Sequence, residues 1–185
     1  ADFETPGCGS TSNTCTIVVS ATDGNSQVTQ QTITVTITDV NDQTPTYTAG
    51  DTAPSVAEGA TAVDSAVAIT DSDSGDANVC TLAGVDAALF TCTLTDQTAY
   101  SLAFTAAPDF EAHADTGADG DYDVTVTIND GVNDGATITY VVTVTDTNDE
   151  SPVFTSSNAI NVAEGATAVV TLTSTDGDAA DSGGP

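Results

Sequence analysis

An all-β fold of tandem antiparallel β-sandwiches is what this sequence predicts, and three observations predict it. Apolar and polar residues alternate strictly in several runs, Thr32-Ile33-Thr34-Val35-Thr36-Ile37 being the clearest. That is the period of a half-buried strand. Thr, Val, Ile and Ala dominate these runs, and β-branched side chains favour extended backbone. Five sequence landmarks also return at nearly one interval, too long for most solenoid units and the right length for a small domain in tandem.

The strands come in a regular order. Val124, Val126 and Ile128 mark one face of a strand that leads into the turn signals Asp130-Gly131 and Asp134-Gly135. Thr137 to Thr145 then alternates around Tyr140-Val141. No segment carries a helical period. Seven or so short strands in about 100 residues, separated by polar turns, make a sandwich.

The landmarks divide the chain. Asp2-Phe3-Glu4 returns as Asp109-Phe110-Glu111, and Thr22-Asp23-Gly24 as Asn129-Asp130-Gly131, each 107 positions later. Asp39-Val40-Asn41-Asp42 returns as Asp146-Thr147-Asn148-Asp149 at the same shift. Residues 56–63 return as 162–169, and Asp71-Ser72-Asp73 as Asp176-Gly177-Asp178. One complete repeat is therefore expected over 44–150, the closing part of another over 1–43, and the opening part of a third over 151–185.

Composition excludes several functions. The chain has 28 acidic residues and neither Lys nor Arg, for a formal charge of −28. Nucleic acid is ruled against, because phosphate contacts need cations or helix N-termini. Anionic lipid is disfavoured for the same reason. No stretch approaches the ~20 apolar residues of a membrane span, and no basic, then apolar, leader opens the chain.

The four cysteines form two close pairs, Cys8/Cys15 and Cys80/Cys92. Thiolate metal sites favour tighter spacing, and no His lies near either pair, so local disulfides acting as hairpin staples are expected. Disulfides imply an oxidising, extracellular compartment.

The motif Asp-x-Asn-Asp, closed by Pro45 in one copy and Pro152 in the other, holds carboxylate, amide and backbone oxygens within four residues. Ca²⁺ takes six to eight such oxygens, and with no cationic side chain in the chain a hard divalent ion is the natural counterion. Two carboxylates ~4 Å apart repel by roughly 4 kcal/mol at an effective dielectric near 20. The following Pro limits flexibility of the linker.

Together, Val56-Ala57-Glu58, Asp109-Phe110-Glu111, Asp71-Ser72-Asp73, Ala21-Thr22-Asp23-Gly24 and Asp39 to Pro45 resemble the marks of the cadherin repeat family. The resemblance covers essentially the whole chain and implies Ig-like Greek-key sandwiches with up to three Ca²⁺ ions at each joint. For the first joint it implies Asp2, Glu4, Asn41, Asp42, Asp71, Asp73 and Asp130, with the carbonyls of Val40, Gln43 and Asn78. For the second it implies Glu58, Asp109, Glu111, Asn148, Asp149, Asp176 and Asp178, with the Thr147 and Glu150 carbonyls. The composition, unlike that of animal cadherins, suggests a microbial source.

The remaining acids read as ordinary turn residues, Asp115, Asp119, Asp121 and Asp134 among them. His113 reads as a solvated loop histidine. No nucleophile elbow or phosphate loop accompanies it, so no enzyme is expected. The reading favoured is a Ca²⁺-stiffened structural or adhesive extracellular protein. The alternatives are a passive spacer and a carbohydrate-binding module, which would need a line of exposed aromatics. Strands rich in Thr and Ser offer acceptors for O-glycans, whereas no Asn-x-Ser/Thr site exists.

The expected partners are other copies or repeats, head to tail. Laid end to start, 151–185 and 1–43 would rebuild most of a repeat, short of a counterpart to roughly 83–107. That arrangement returns Glu164 to the first joint and Asp23 to the second.

Overall fold

The computed structural model describes residues 1–8, 12–75 and 77–178; the expected junction at Pro185 lies outside them. The elements run β1 (Thr14–Thr22), β2 (Val28–Thr36), β3 (Thr46–Tyr47), β4 (Ser55–Ala57), β5 (Ala62–Thr70) and β6 (Val79–Ala83). A 3-10 turn at Ala87–Leu89 precedes β7 (Phe90–Thr95), β8 (Ala99–Phe104), β9 (Asp121–Asn129) and β10 (Ile138–Thr145). The last two are β11 (Val153–Phe154) and β12 (Ser174–Thr175).

Two four-stranded sheets face each other, ordered β4-β10-β9-β6 and β3-β5-β8-β7. All pairings are antiparallel except that of β4 with β10. The alternation read from sequence places Tyr122, Val124, Val126 and Ile128 of β9 inward beside Tyr140, Val142 and Val144 of β10, all buried. They meet Tyr100, Leu102 and Phe104 of β8 and Phe90 of β7. Phe90 stacks on Phe104 at 4.5 Å, and Tyr122 stands edge-on to Phe104 at 5.1 Å.

Buried tyrosines need partners for their hydroxyls. Tyr100 and Tyr140 share a hydrogen bond of 2.9 Å, and the Tyr140 hydroxyl donates to Asp64 Oδ2 at 2.9 Å. Asp64 reaches inward from a bulge in β5, where the register against β8 shifts and Ala66 takes φ 57°.

Both cysteine pairs are disulfides, with Cα atoms 5.1 Å apart for Cys8–Cys15 and 6.2 Å for Cys80–Cys92. One detail departs from the hairpin expectation. β6 and β7 belong to different sheets, so Cys80–Cys92 ties the edges of the two layers together.

Outside this sandwich, β1 and β2 form a two-stranded hairpin, and β11 pairs with β12. Both are open to solvent on their apolar side. Among the described residues no helix is long and apolar enough to cross a membrane.

Candidate metal centres

The first centre forms where the 39–45 linker meets the loop that ends β5. Asp73 Oδ2 accepts the Asp42 and Gln43 amides at 2.9 and 2.7 Å. Asp39 Oδ2 accepts the Ser74 amide at 2.6 Å and its hydroxyl. Asn41 donates to the Asp130 carbonyl at 3.2 Å, and Asn133 donates to Asn41 Oδ1 and to the Gln43 carbonyl. These bonds occupy one oxygen of Asp39 and one of Asp73 and leave the other oxygen of each outside them.

Those other oxygens lack partners. Glu4 Oε1, Asp39 Oδ1, Asp71 Oδ2 and Asp73 Oδ1 are all buried with no hydrogen bond. Oxygens of Glu4, Asp39 and Asp73 lie within 4.8 Å of one another. The Glu4 carboxyl is pushed up to about 7. A bond from its own amide would lower it, but burial and the neighbours Asp2, Asp39 and Asp73 outweigh that bond. Asp130 is also buried, which alone would raise it, yet the Asn133 and Val132 amides hold it below the usual range.

The second centre repeats the construction. Asp178 Oδ1 accepts the Asp149 and Glu150 amides at 3.4 and 3.3 Å, the counterparts of Asp42 and Gln43. Its Oδ2 is buried and unpartnered. Glu58 is buried and bridges two segments, accepting the Phe110 amide at 2.8 Å and the Thr147 amide at 2.6 Å. Two groups of oxygens converge here, Glu58 with Glu111 and Asp146, and Glu111 with Asp149 and Asp178. Burial raises Glu111, and Glu58, Asp146 and Asp178 add to it. Asp149 is raised by burial and by Glu58, Asp178, Asp109 and Asp146.

The other expected residues are placed as follows. Asp2 accepts the Glu4 and Thr5 amides and abuts the Glu4 side chain. Asp109 accepts the Ala112 amide, and Asp176 accepts the Asp178 amide. Asp42 accepts from the Gln43 side chain and is in none of the three groups. Asn148 is exposed. Asp23 sits at the β1–β2 turn, accepting the Asn25 and Gln27 amides, and Glu164 is exposed, so neither joins a centre within this chain.

Sequence reasoning passed over Asp39 and Asp146, the first acids of the two linker motifs, although both belong to the converging groups. Two loop residues are less exposed than plain turn residues commonly are. Asp115 is buried and holds the 115–120 loop by accepting the Asp119 and Gly120 amides. His113 packs edge-on to Phe110 at 5.3 Å and close under Gly120 and is half-buried, where the sequence suggests a fully solvated histidine.

Solved structures with a similar fold exist. Human CDH23 EC21-23 is 28% identical with a TM-score of 0.61, covering 90% of this chain and 55% of that one. The protocadherin gammaB7 EC3-6 cis-dimer is 26% identical with a TM-score of 0.63, covering 96% and 42%. The fold of this chain is that of a cadherin-like repeat. The human desmocollin-1 ectodomain, at 16% identity and a TM-score of 0.59, shares the cadherin-like fold. The chain spans only about a quarter to just over half the length of the cadherin structures it resembles. No protein-family model matches the sequence, and no curated protein matches it. The organisms named for these structures are human and mouse, so the microbial source expected from composition finds no support among them.

Proposed function

We propose that this chain is a non-enzymatic, extracellular structural or adhesive segment whose joints are stiffened by Ca²⁺. In this reading residues 1–43, 44–150 and 151–185 belong to successive cadherin-like repeats in a head-to-tail array. The observation that carries it is the set of buried carboxylate oxygens left without any partner at the first centre. A buried charge persists only when paired or bound to a metal, and this chain offers no Lys or Arg to pair with. All-oxygen donors, mostly carboxylates, suit Ca²⁺.

Glu4, Asp39, Asn41, Asp71, Asp73 and Asp130 would hold ions at the first joint, with Asp2 and Asp42 at its margin. Glu58, Asp109, Glu111, Asp146, Asn148, Asp149, Asp176 and Asp178 would serve the second. When bound, Ca²⁺ supplies the positive charge that lets acids from two repeats share one site. The chain's own part is to fix one oxygen of Asp73 and of Asp178 on the linker amides and to aim the other at the site.

Extracellular placement is supported by the two disulfides and by the extracellular cadherin domains that the chain resembles. A carbohydrate-binding role is disfavoured. Among the described residues Phe154 is the one exposed aromatic, so they present no row of aromatics for stacking.

Thermal unfolding with Ca²⁺ and with chelator tests the reading. Stabilisation should grow with Ca²⁺ by mass action, reaching about 2.7 kcal/mol at 100 times the dissociation constant. Mg²⁺ should substitute poorly, because it demands a smaller octahedral shell. A midpoint indifferent to Ca²⁺ would reject the proposal.

A further inference from the structure

The first centre has a neutral side as well as an acidic one. There Asn133, in the loop between β9 and β10, points its side-chain amide at three oxygens from two parts of the chain. Its Nδ2 donates to Asn41 Oδ1 at 2.9 Å, to the Gln43 carbonyl at 2.8 Å and, more weakly, to Asp130 Oδ2 at 3.4 Å. The network fixes which way this amide points, because a carbonyl and a carboxylate oxygen only accept. Reversed, Asn133 would set its own oxygen against both.

The loop is built to keep it there. Asp130 Oδ1 accepts the Asn133 backbone amide at 2.6 Å and the Val132 backbone amide at 2.8 Å. The Asp130 amide donates back to the Asn133 carbonyl at 3.2 Å. Gly135 then closes on the exit of the linker, where an added Cβ would lie 2.6 Å from the Tyr47 ring and 2.7 Å from the Pro45 carbonyl. The Tyr47 hydroxyl in turn accepts the Ile128 amide at 3.1 Å. Protein contacts alone bring loop and linker together.

Two neutral oxygens and a carboxylate converging on one point are a donor set for a hard divalent cation. The group standing at that point is an N–H₂, the positive end of a side-chain dipole. Its effect shows in which acids are satisfied. The buried carboxylate oxygens without a partner at this centre belong to Glu4, Asp39, Asp71 and Asp73. Asp130 is 3% exposed, yet both its oxygens are bonded.

We infer that the Asn133 side chain is a built-in stand-in for one cation of the first joint: it ties the linker to the loop without an ion, and Ca²⁺ takes that position only by displacing it. The joint then holds its ions with unequal strength, tightly among Glu4, Asp39 and Asp73 and weakly beside Asn133. The tie runs between the linker and the complete repeat. Glu4, from the far side of the linker, has no part in it, so stiffening the joint still needs the tightly held ions.

The inference rests on the Ca²⁺ reading above and deepens it. Calorimetric Ca²⁺ titration of the full chain tests it, with wild type, Asn133→Ala and Asn133→Asp compared. With the amide removed, or a carboxylate in its place, the weakest-held Ca²⁺ should bind about tenfold tighter than in wild type, as expected when two good hydrogen bonds need no longer be broken to admit it. In chelator both variants should melt earlier than wild type, since the tie is lost, while far-ultraviolet dichroism keeps its β signature. An Asn133 that only shaped the loop would do the opposite, and its loss would weaken Ca²⁺ binding. Unchanged or weaker binding in the folded variants therefore overturns the stand-in and leaves the Ca²⁺ reading in place. No Ca²⁺ binding by any of the three proteins overturns both.

Discussion

Asp73 splits its oxygens between two tasks, one accepting linker amides and the other facing the site without a partner. An Asn there can keep both amide bonds and remove the charge. Asp73→Asn should therefore raise the midpoint in chelator, by relieving repulsion, and shrink the Ca²⁺-induced rise. About tenfold weaker Ca²⁺ binding, equal to about 1.4 kcal/mol, is the expected loss. Opposite signs in the two conditions are what a purely structural Asp would not produce. Asp86 provides the contrast. It is buried, which alone would raise its carboxyl. Bonds from the Thr116 hydroxyl and the Asp123 and Thr116 amides outweigh burial and hold it below its ordinary 3.8. A depressed carboxyl stabilises the fold above its unfolded pKa and loses that contribution as pH falls through the folded value. Asp86→Asn should thus cost roughly 3 kcal/mol at neutral pH, since charge-assisted bonds are worth about 1.5–3 kcal/mol each. The gap to wild type should close in acid, which unfolding at a series of pH values measures. Glu58, Asp73 and Asp178 were legible in the sequence from their motifs. Asp86 was not, because a loop Asp that accepts backbone amides carries no mark of its own.

At the scale of elements, alternation located β9 and β10 because their inward faces are apolar without interruption, and β2 from Ile33 and Val35, although Gln31 shares that face and the strand is exposed. The two- and three-residue strands β3, β4 and β11 are too short to show a period, and the parallel pairing of β4 with β10 is set by the partner sheet. The β5 bulge was likewise hidden, as it lies in the pairing with β8 and not in composition. Cysteine spacing gave the right pairs and the wrong geometry, since a separation of 12 residues fits a hairpin as well as an edge-to-edge tie between layers. That tie closes the open edge formed by β6 and β7. Replacing Cys80 and Cys92 together by Ala should destabilise the sandwich by roughly 2–3 kcal/mol, read from chemical denaturation. Replacing Cys8 and Cys15 should leave the same transition in place, because that bond lies outside the two sheets.

For the whole molecule, the proposed function has repeats joined through acids that repel one another until an ion is present. The sandwich between the joints draws its stability from an apolar core that contains none of those acids, the buried Glu58 and Asp130 lying outside it. Loss of Ca²⁺ should therefore free the joints and leave the β content in place. Small-angle scattering of the dilute, monomeric chain, recorded with Ca²⁺ and with chelator alongside far-ultraviolet circular dichroism, measures this directly. A Ca²⁺-stiffened joint should give one narrow distribution of maximum dimension with Ca²⁺, a broadened one in chelator, and an unchanged dichroism spectrum. Superimposable scattering profiles in the two conditions would contradict it.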